Sequence, residues 1–383
     1  MRKVAIVTQY YNSKNYGGNL QAYALNRYIN SLGFESEQLC YQVIIDRSQK
    51  SKLKRALNVF NPKKLCSYLL SKFKRRKKSK SLGNTLNTRH KKIEQFNRCQ
   101  IDHSEKVYDE SNIRKCIDNY DIFVAGSDQI WNLSYYFPAY FLEFVPKTKI
   151  KVSYAASVTM DFLTNEQKNV FKNHLKDYSA ISVREREAVS LLADCTNMSV
   201  EWVLDPTMLL TKNQWEKISS ESLIDEPYIF CYFLGSDENE RNLAKQFANK
   251  RNFKIATIPY LNGYNKSDDE FGEYKIFDAG VEDFLSLIRN AEYVFTDSFH
   301  AVVFSGIFEK QYVVFQRAGS GFMASRIYTL CELYETQDRF CDTKERATLK
   351  YIEGLENIDY QRPLNKLNEM KEKSKKYLKE NLK

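Results

Sequence analysis

The chain has 383 residues, with 43% hydrophobic and 28% charged side chains and eight cysteines scattered without a CxxC pair. That length suits two domains of ordinary size, and the balance is that of a globular protein with no need of a disulfide framework. The formal net charge of +10 is local, because 17 Lys and Arg and no acidic residue fall between Arg47 and Ile93; the remainder is net negative, which argues against a general nucleic-acid binder.

KVAIVTQYY (3–11) reads as a short β-rich strand. A glycine-containing loop, NSKNYGG (12–18), follows, then a helix over 20–30 ended by Gly33 and a strand SEQLCY (36–41). Strand, loop, helix and strand in that order make a βαβ opening and imply a parallel sheet. The first apolar run is too short for a signal peptide, and no apolar stretch reaches the roughly 18 residues of a membrane span. A cytoplasmic protein with reduced thiols is the expectation.

Residues 47–98 interrupt the pattern. Leu53, Leu57 and Phe60 share one helical face and Leu65, Leu69 and Phe73 another, with Asn61-Pro62 between them. The basic stretch 47–93 has two readings. It can lie on an anionic bilayer at the inner face of a membrane, or it can be a solvated helical insertion that packs its leucines on the domain.

The βα rhythm resumes with YDIFVAGS (120–127), KVSYAAS (151–157), SAISVRE (179–185) and SVEWVLDPT (199–207). Asp205-Pro206 is a natural boundary. The second half repeats this alternation, with PYIFCYFLGS (227–236), a helix near 238–250, FKIATIPY (253–260), a helix near 281–290, AEYVFTDS (291–298), a helix from His300 and QYVVFQR (311–317). The expected architecture is α/β, with two consecutive Rossmann-like domains over 1–206 and 207–361 and a charged C-terminal helix over 362–383. Ligands of such sheets bind beyond the carboxyl ends of the strands, so a pair of domains would share a cleft.

Polar residues mark several strand ends. Gly17 and Gly18 stand before a helix start, where backbone N–H groups favour an anion; an ordinary βα turn uses the same residues. Ser127 and Asp128 follow the fourth strand, and Asp128 either orients a sugar hydroxyl or caps the next turn. Arg184 and Arg186 suit bidentate binding of a carboxylate or phosphate, or form a self-paired helix start. Ser298 and His300 sit where a strand hands over to a helix, and the macrodipole there tends to keep an imidazole neutral and to attract an anion. Gly319-Ser320-Gly321 with Ser325-Arg326 forms a looser phosphate-site candidate. No His/Cys spacing suggests a metal.

Taken together, NYGGNLQAYAL (15–25), AGSDQIWN (125–132), SVRE (182–185), DPT (205–207) and TDSFH (296–300) resemble the polysaccharide pyruvyltransferase family. The resemblance implies a GT-B-like pair of domains, phosphoenolpyruvate as donor, no metal and no separate cofactor. The product it implies is a pyruvyl ketal on a sugar or lipid-linked oligosaccharide of a surface polysaccharide. By position it makes Arg184 the donor-holding arginine and His300 the active-site histidine. Some branches carry Arg-Leu-His where this chain has Ser298-Phe299-His300, so Arg184, Arg186 or Arg326 must do the missing arginine's work. Two other readings stay open: a GT-B glycosyltransferase using a nucleotide sugar, and a non-catalytic glycan- or membrane-binding subunit.

Overall fold

The computed structural model describes residues 1–43, 83–317 and 324–383. Leu53, Leu57, Phe60, Leu65, Leu69 and Phe73, and the Gly319–Gly321 loop, lie outside the described residues. Nothing of the membrane-surface reading can therefore be read from those leucines.

Five parallel strands form the first sheet: β1 (Lys3–Val7), β2 (Glu35–Tyr41), β3 (His103–Tyr108), β4 (Ile122–Ala125) and β5 (Ile150–Ser153), in the order β3-β2-β1-β4-β5. A parallel pair, β6 (Ile181–Val183) and β7 (Val200–Trp202), extends it through single bridges such as Val152 to Ala180. The second sheet is also parallel. It holds β8 (Tyr228–Tyr232), β9 (Lys254–Thr257), β10 (Tyr274–Lys275), β11 (Tyr293–Thr296), β12 (Gln311–Phe315) and β13 (Phe340–Cys341), in the order β10-β9-β8-β11-β12-β13.

Both sheets thus carry the Rossmann order, with a reversal between the first and fourth strands of each. The central strands bear this out in their composition: IFVA of β4 and YIFCY of β8 are buried at every position. Such continuous apolar runs are what a sheet covered on both faces requires. At the two reversals, β1 with β4 and β8 with β11, the strand ends carry the polar motifs of the sequence.

Helix α1 (Tyr16–Ser31) starts earlier than its periodicity predicts. Asn15 caps it, accepting from the Gly17 amide at 3.1 Å, so Gly17 and Gly18 lie within the first helical turn and not in a loop. Asn15 is a strong cap, and its signal outweighs the poor helix propensity of the two glycines.

The two sheets are joined by more than a linker. The Tyr16 ring stacks on Phe284 with centroids 5.1 Å apart, and its hydroxyl donates to the Ala279 carbonyl at 2.7 Å. Helix α2 (Gly83–Gln100), the described end of the basic segment, reaches across as well. Buried Arg89 donates to the carbonyls of Phe277 at 2.7 Å and Pro259 at 2.8 Å. Lys92 pairs with Asp278 at 3.0 Å and Asp283 at 3.1 Å. Part of the basic charge therefore serves domain packing.

The last helix, α3 (Leu364–Asn381), returns to the first sheet. Tyr377 donates to the Ser153 carbonyl at 2.9 Å, and Leu378 packs among Val4, Ile6 and Leu25. No helix among the described residues is long and apolar enough to cross a membrane.

Replacing Arg89 with alanine removes two charge-assisted bonds from this interface and leaves two carbonyls to find new donors. R89A should lose about 1.5–3 kcal/mol, read as a lower denaturant midpoint in chemical unfolding.

Candidate active site

Behind the cleft stands a buried carboxylate. Asp205 follows β7 and caps the short turn Pro206–Leu209, with Oδ1 accepting from the Thr207 amide at 3.0 Å and hydroxyl at 2.7 Å. Its Oδ2 accepts from Arg184 Nη1 at 2.9 Å and from Ser127 Oγ at 3.3 Å. From the other domain, His300 Nε2 stands 3.6 Å from the same oxygen. Burial alone would push this carboxyl up, but His300, then Arg184 and Thr207, hold it below the usual carboxylate range.

His300 is the second residue of helix α4 (Phe299–Ile307), whose N-cap is Ser298. Its imidazole reaches Asp205 across the domain boundary because the first domain leaves a slot for it. A methyl group added at Gly17 would sit 2.0 Å from His300 Nδ1 and 2.3 Å from Cγ. The first glycine of the pair is thus needed for the histidine ring. At Gly18 an added methyl would stand 3.0 Å from the Gln9 carbonyl and 3.4 Å from Asp128 Oδ2.

Arg184 is buried behind the cleft wall. Burial works against its charge, yet Glu185, Asp205 and Asp128 raise its pKa above the ordinary value. Its guanidinium lies 4.4 Å from the centre of the Phe299 ring, and Phe299, not Arg184, lines the cavity. One nitrogen, Nη2, has no hydrogen-bond partner among the described residues and sits 3.9 Å from Asp128 Oδ1. On the other side of this cluster is Arg326, 6.0 Å from the Phe299 centroid. Burial and the nearby Arg184 charge push its pKa down to about 10. Arg317 completes the set, bound to Asp297 at 3.0 Å.

The cavity these groups surround holds about 370 Å³, with Lys14, Asp128, His300, Arg317 and Arg326 in its wall. Asp128 adopts φ 69°, a left-handed backbone that is costly for a residue with a side chain. A bond from the Ser157 amide to its carbonyl at 3.0 Å holds it there. Its carboxylate faces Arg184 and Gly18 and does not cap the following turn.

Of the residues expected from the sequence, Asp128, Ser298, His300 and Arg326 line the cavity. Gly17 and Gly18 are buried and outside its wall, packed behind His300 and Asp128, so they do not face a ligand. Ser127 is fully buried and supports Asp205 from behind, so it does not face a ligand. Arg186 does not join the site: half exposed, it pairs with Glu332 at 2.8 Å and lies apart from the cavity. Asp205, Phe299, Asp297 and Arg317 are not among the site residues that the sequence points to. Asp205 reads there as a domain boundary and as part of the DPT motif, with no role of its own, though Asp before Pro-Thr at a strand end is also a capping signal.

A family model described as polysaccharide pyruvyl transferase matches residues 15–318. The chain belongs to that family. The match spans every motif assembled around Asp205 and stops before Arg326. A comparison with curated protein sequences gives no match.

Among solved structures, a protein described as a UDP-N-acetylglucosamine 2-epimerase from Listeria monocytogenes aligns with a TM-score of 0.51 at 10% identity, covering 99% of this chain and 90% of that one. The MnaA protein of S. aureus, in a structure with UDP, aligns with a TM-score of 0.51 at 10% identity, covering 99% and 91%. The glycosyltransferase SnogD from Streptomyces nogalater aligns with a TM-score of 0.42 at 10% identity over 99% and 95%. The first two likenesses, with the strand orders above, give this family member a GT-B-like fold of two Rossmann-like domains. Among its described residues no group of three or more His, Cys, Asp or Glu is placed to hold a metal ion.

Two outcomes test this geometry. An alanine in a helix ordinarily stabilises by up to about 1 kcal/mol over glycine, but G17A should destabilise by about 1–3 kcal/mol through overpacking. In an H300A background the same substitution should become neutral or favourable, which a double-mutant unfolding cycle reads directly. The depressed Asp205 pKa contributes stability that is present above the ordinary value of about 3.9 and lost as pH falls below it. D205N should therefore be less stable at neutral pH, by about 3–5 kcal/mol for a broken buried pair. Its stability should also fall less steeply into acid than that of the parent.

Proposed function

We propose that this protein is a ketal pyruvyltransferase that moves pyruvate from phosphoenolpyruvate to a pair of sugar hydroxyls during surface polysaccharide assembly. The observation that carries the reading is the cationic crowding at the cleft. Arg184 and Arg326 both face the Phe299 ring, burial and then the Arg184 charge depress Arg326, and Arg317, paired with Asp297, shares the cavity wall with Lys14 and Asp128. A bound dianion relieves that repulsion, and phosphoenolpyruvate carries both a phosphate and a carboxylate.

Of the three arginines that can replace the one missing before Phe299-His300, Arg326 lines the cavity. It is assigned the direct contact to the donor, and Arg184 acts from behind Phe299 as a positioning residue. The N-terminal amides of α4 and Ser298 supply further donors for phosphate.

In the reaction a proton is added to the methylene carbon of phosphoenolpyruvate. A sugar hydroxyl attacks the adjacent carbon and loses its proton. A second hydroxyl then loses its proton and forms the other C–O bond as the C–O bond to phosphate breaks; the departing phosphate takes up that proton, and inorganic phosphate leaves as the ring closes. His300 is assigned the proton transfers. With Nε2 turned to Asp205, Nδ1 is the nitrogen left to exchange a proton, and Asp205 keeps the ring oriented. Asp128 is assigned to orient an attacking hydroxyl.

Phosphate release from phosphoenolpyruvate should depend on an added saccharide, tested with β-galactoside, N-acetylmannosamine and glucose acceptors. In H300A it should fall by about 10²-fold or more, and R326A should raise the KM for phosphoenolpyruvate more than that for the sugar. Near-normal turnover in H300A would remove the histidine from its role. No release with any acceptor, together with binding of a nucleotide sugar, would assign the cleft to a glycosyltransferase.

A further inference from the structure

A second cavity, of about 480 Å³, opens over the C-terminal ends of β8 and β9. It shares Leu234, Leu261, Asn262 and Arg317 with the cationic cavity, so the two have a common wall. Its volume is within the roughly 300–1,000 Å³ of small-molecule sites.

Ser236, Asn262, Tyr264, Asn265 and Ser267 line it with hydroxyl and amide groups, of which Asn262 and Asn265 each donate to a backbone carbonyl, Ser267 to the Ser236 carbonyl and Tyr264 to Asp269. The charges in the wall are largely committed. Asp268 is clamped by Arg241 at 2.6 Å, Asp237 accepts from the Asn239 amide at 2.7 Å as a helix cap, Arg317 is bound to Asp297, and Lys266 stands on the exposed rim. Such a surface suits a neutral polyhydroxyl ligand better than a phosphate.

Glu240 is the exception. It stands in the first turn of the helix Glu238–Arg251 and lines this cavity with only 4% of its surface exposed. Its Oε2 is buried and has no hydrogen-bond partner among the described residues. A buried polar atom left unmatched costs stability, and sites built for a ligand are where such atoms persist.

We infer that this cavity is the subsite for the sugar acceptor, and that Glu240 is the group that hydrogen-bonds a sugar hydroxyl there. The word acceptor rests on the pyruvyltransferase reading; the recognition of a hydroxylated ring rests on the wall itself. Burial, with Asp297 and Asp237 adding to it, pushes the Glu240 carboxyl up to about 8. At neutral pH it is mostly protonated and both donates to and accepts from a hydroxyl, without a buried charge to be neutralised. The division of labour then follows from charge: the anionic donor goes to the arginines, the neutral sugar to the adjoining lobe, and the reacting hydroxyls meet the donor at the shared wall.

The test is direct binding by calorimetry of methyl β-galactoside, N-acetylmannosamine and glucose, without phosphoenolpyruvate, and of phosphoenolpyruvate alone. The wild type should bind at least one saccharide at millimolar concentration. E240A should weaken that binding by about tenfold or more, and E240Q, which keeps one donor and one acceptor, should restore most of it. Both variants should keep the parent's affinity for phosphoenolpyruvate, which also shows that the fold is intact.

The inference is overturned if E240A leaves saccharide binding unchanged, and the more so if Y11A abolishes it. That result moves the sugar to the cavity beside Tyr10 and Tyr11. Equal loss of phosphoenolpyruvate and saccharide binding in E240A, or no saccharide binding by the wild type, overturns it as well. Saccharide binding that depends on Glu240 without any phosphate release would instead fail the pyruvyltransferase reading and leave the subsite standing.

Discussion

A single buried carboxylate organises the cleft. Asp205 has no exposed side-chain surface, so its charge is tolerable only if the surrounding groups neutralise and hydrogen-bond it. Arg184, Thr207 and Ser127 do so from its own half of the chain, and His300 approaches from the other. Because each partner arrives from a different strand end, satisfying one carboxylate aligns four of them. Without that charge, Arg184 would be a buried cation held chiefly by Glu185, and the imidazole would lose the group that orients it.

This arrangement requires the two domains to stand close together. The contact between Gly17 and the His300 ring leaves no room for a side chain, and Tyr16, the residue before it, is stacked on Phe284 and bonded to Ala279. The helix that supplies the slot is therefore the helix that binds the second domain. Arg89 and Lys92 reinforce the same face from α2. The C-terminal helix adds a return tie, with Tyr377 and Leu378 packed on the first sheet. Site geometry and domain packing are one structural problem here.

The arginines of the cleft are arranged around one aromatic ring. Ser298 and Phe299 precede His300, and Phe299 is the only one of the two with a side chain large enough to meet the arginines. Phe299 offers its ring to Arg184 and stands near Arg326. An aromatic face stabilises a nearby guanidinium by about 0.5–2 kcal/mol, which helps to hold like charges close together in a buried setting. Arg184, just after β6, and Arg326, on a helix of the second half, thus share one aromatic ring as a common surface.

Much of the fold is legible in the residues. The βα alternation, the parallel sheets and the buried central strands follow from apolar runs such as IFVA and YIFCY, because hydrophobic period and strand length are local properties. Short edge strands such as Phe340–Cys341 are not, since two residues carry no period. At the site, His300, Asp128 and Ser298 stand out as polar residues at strand ends of a doubly wound fold. Arg186 misleads because an arginine at a helix start looks the same whether it faces a cleft or pairs with Glu332 on another helix. Residue order marks several strand ends as polar, without ranking them and without singling out the one that carries Asp205. Folding in three dimensions was needed to make Asp205 their centre, to have Gly17 clear space for an imidazole and to set Arg184 behind Phe299. Each of these depends on contacts between segments far apart in the chain, and neither periodicity nor motif spacing records such a pairing.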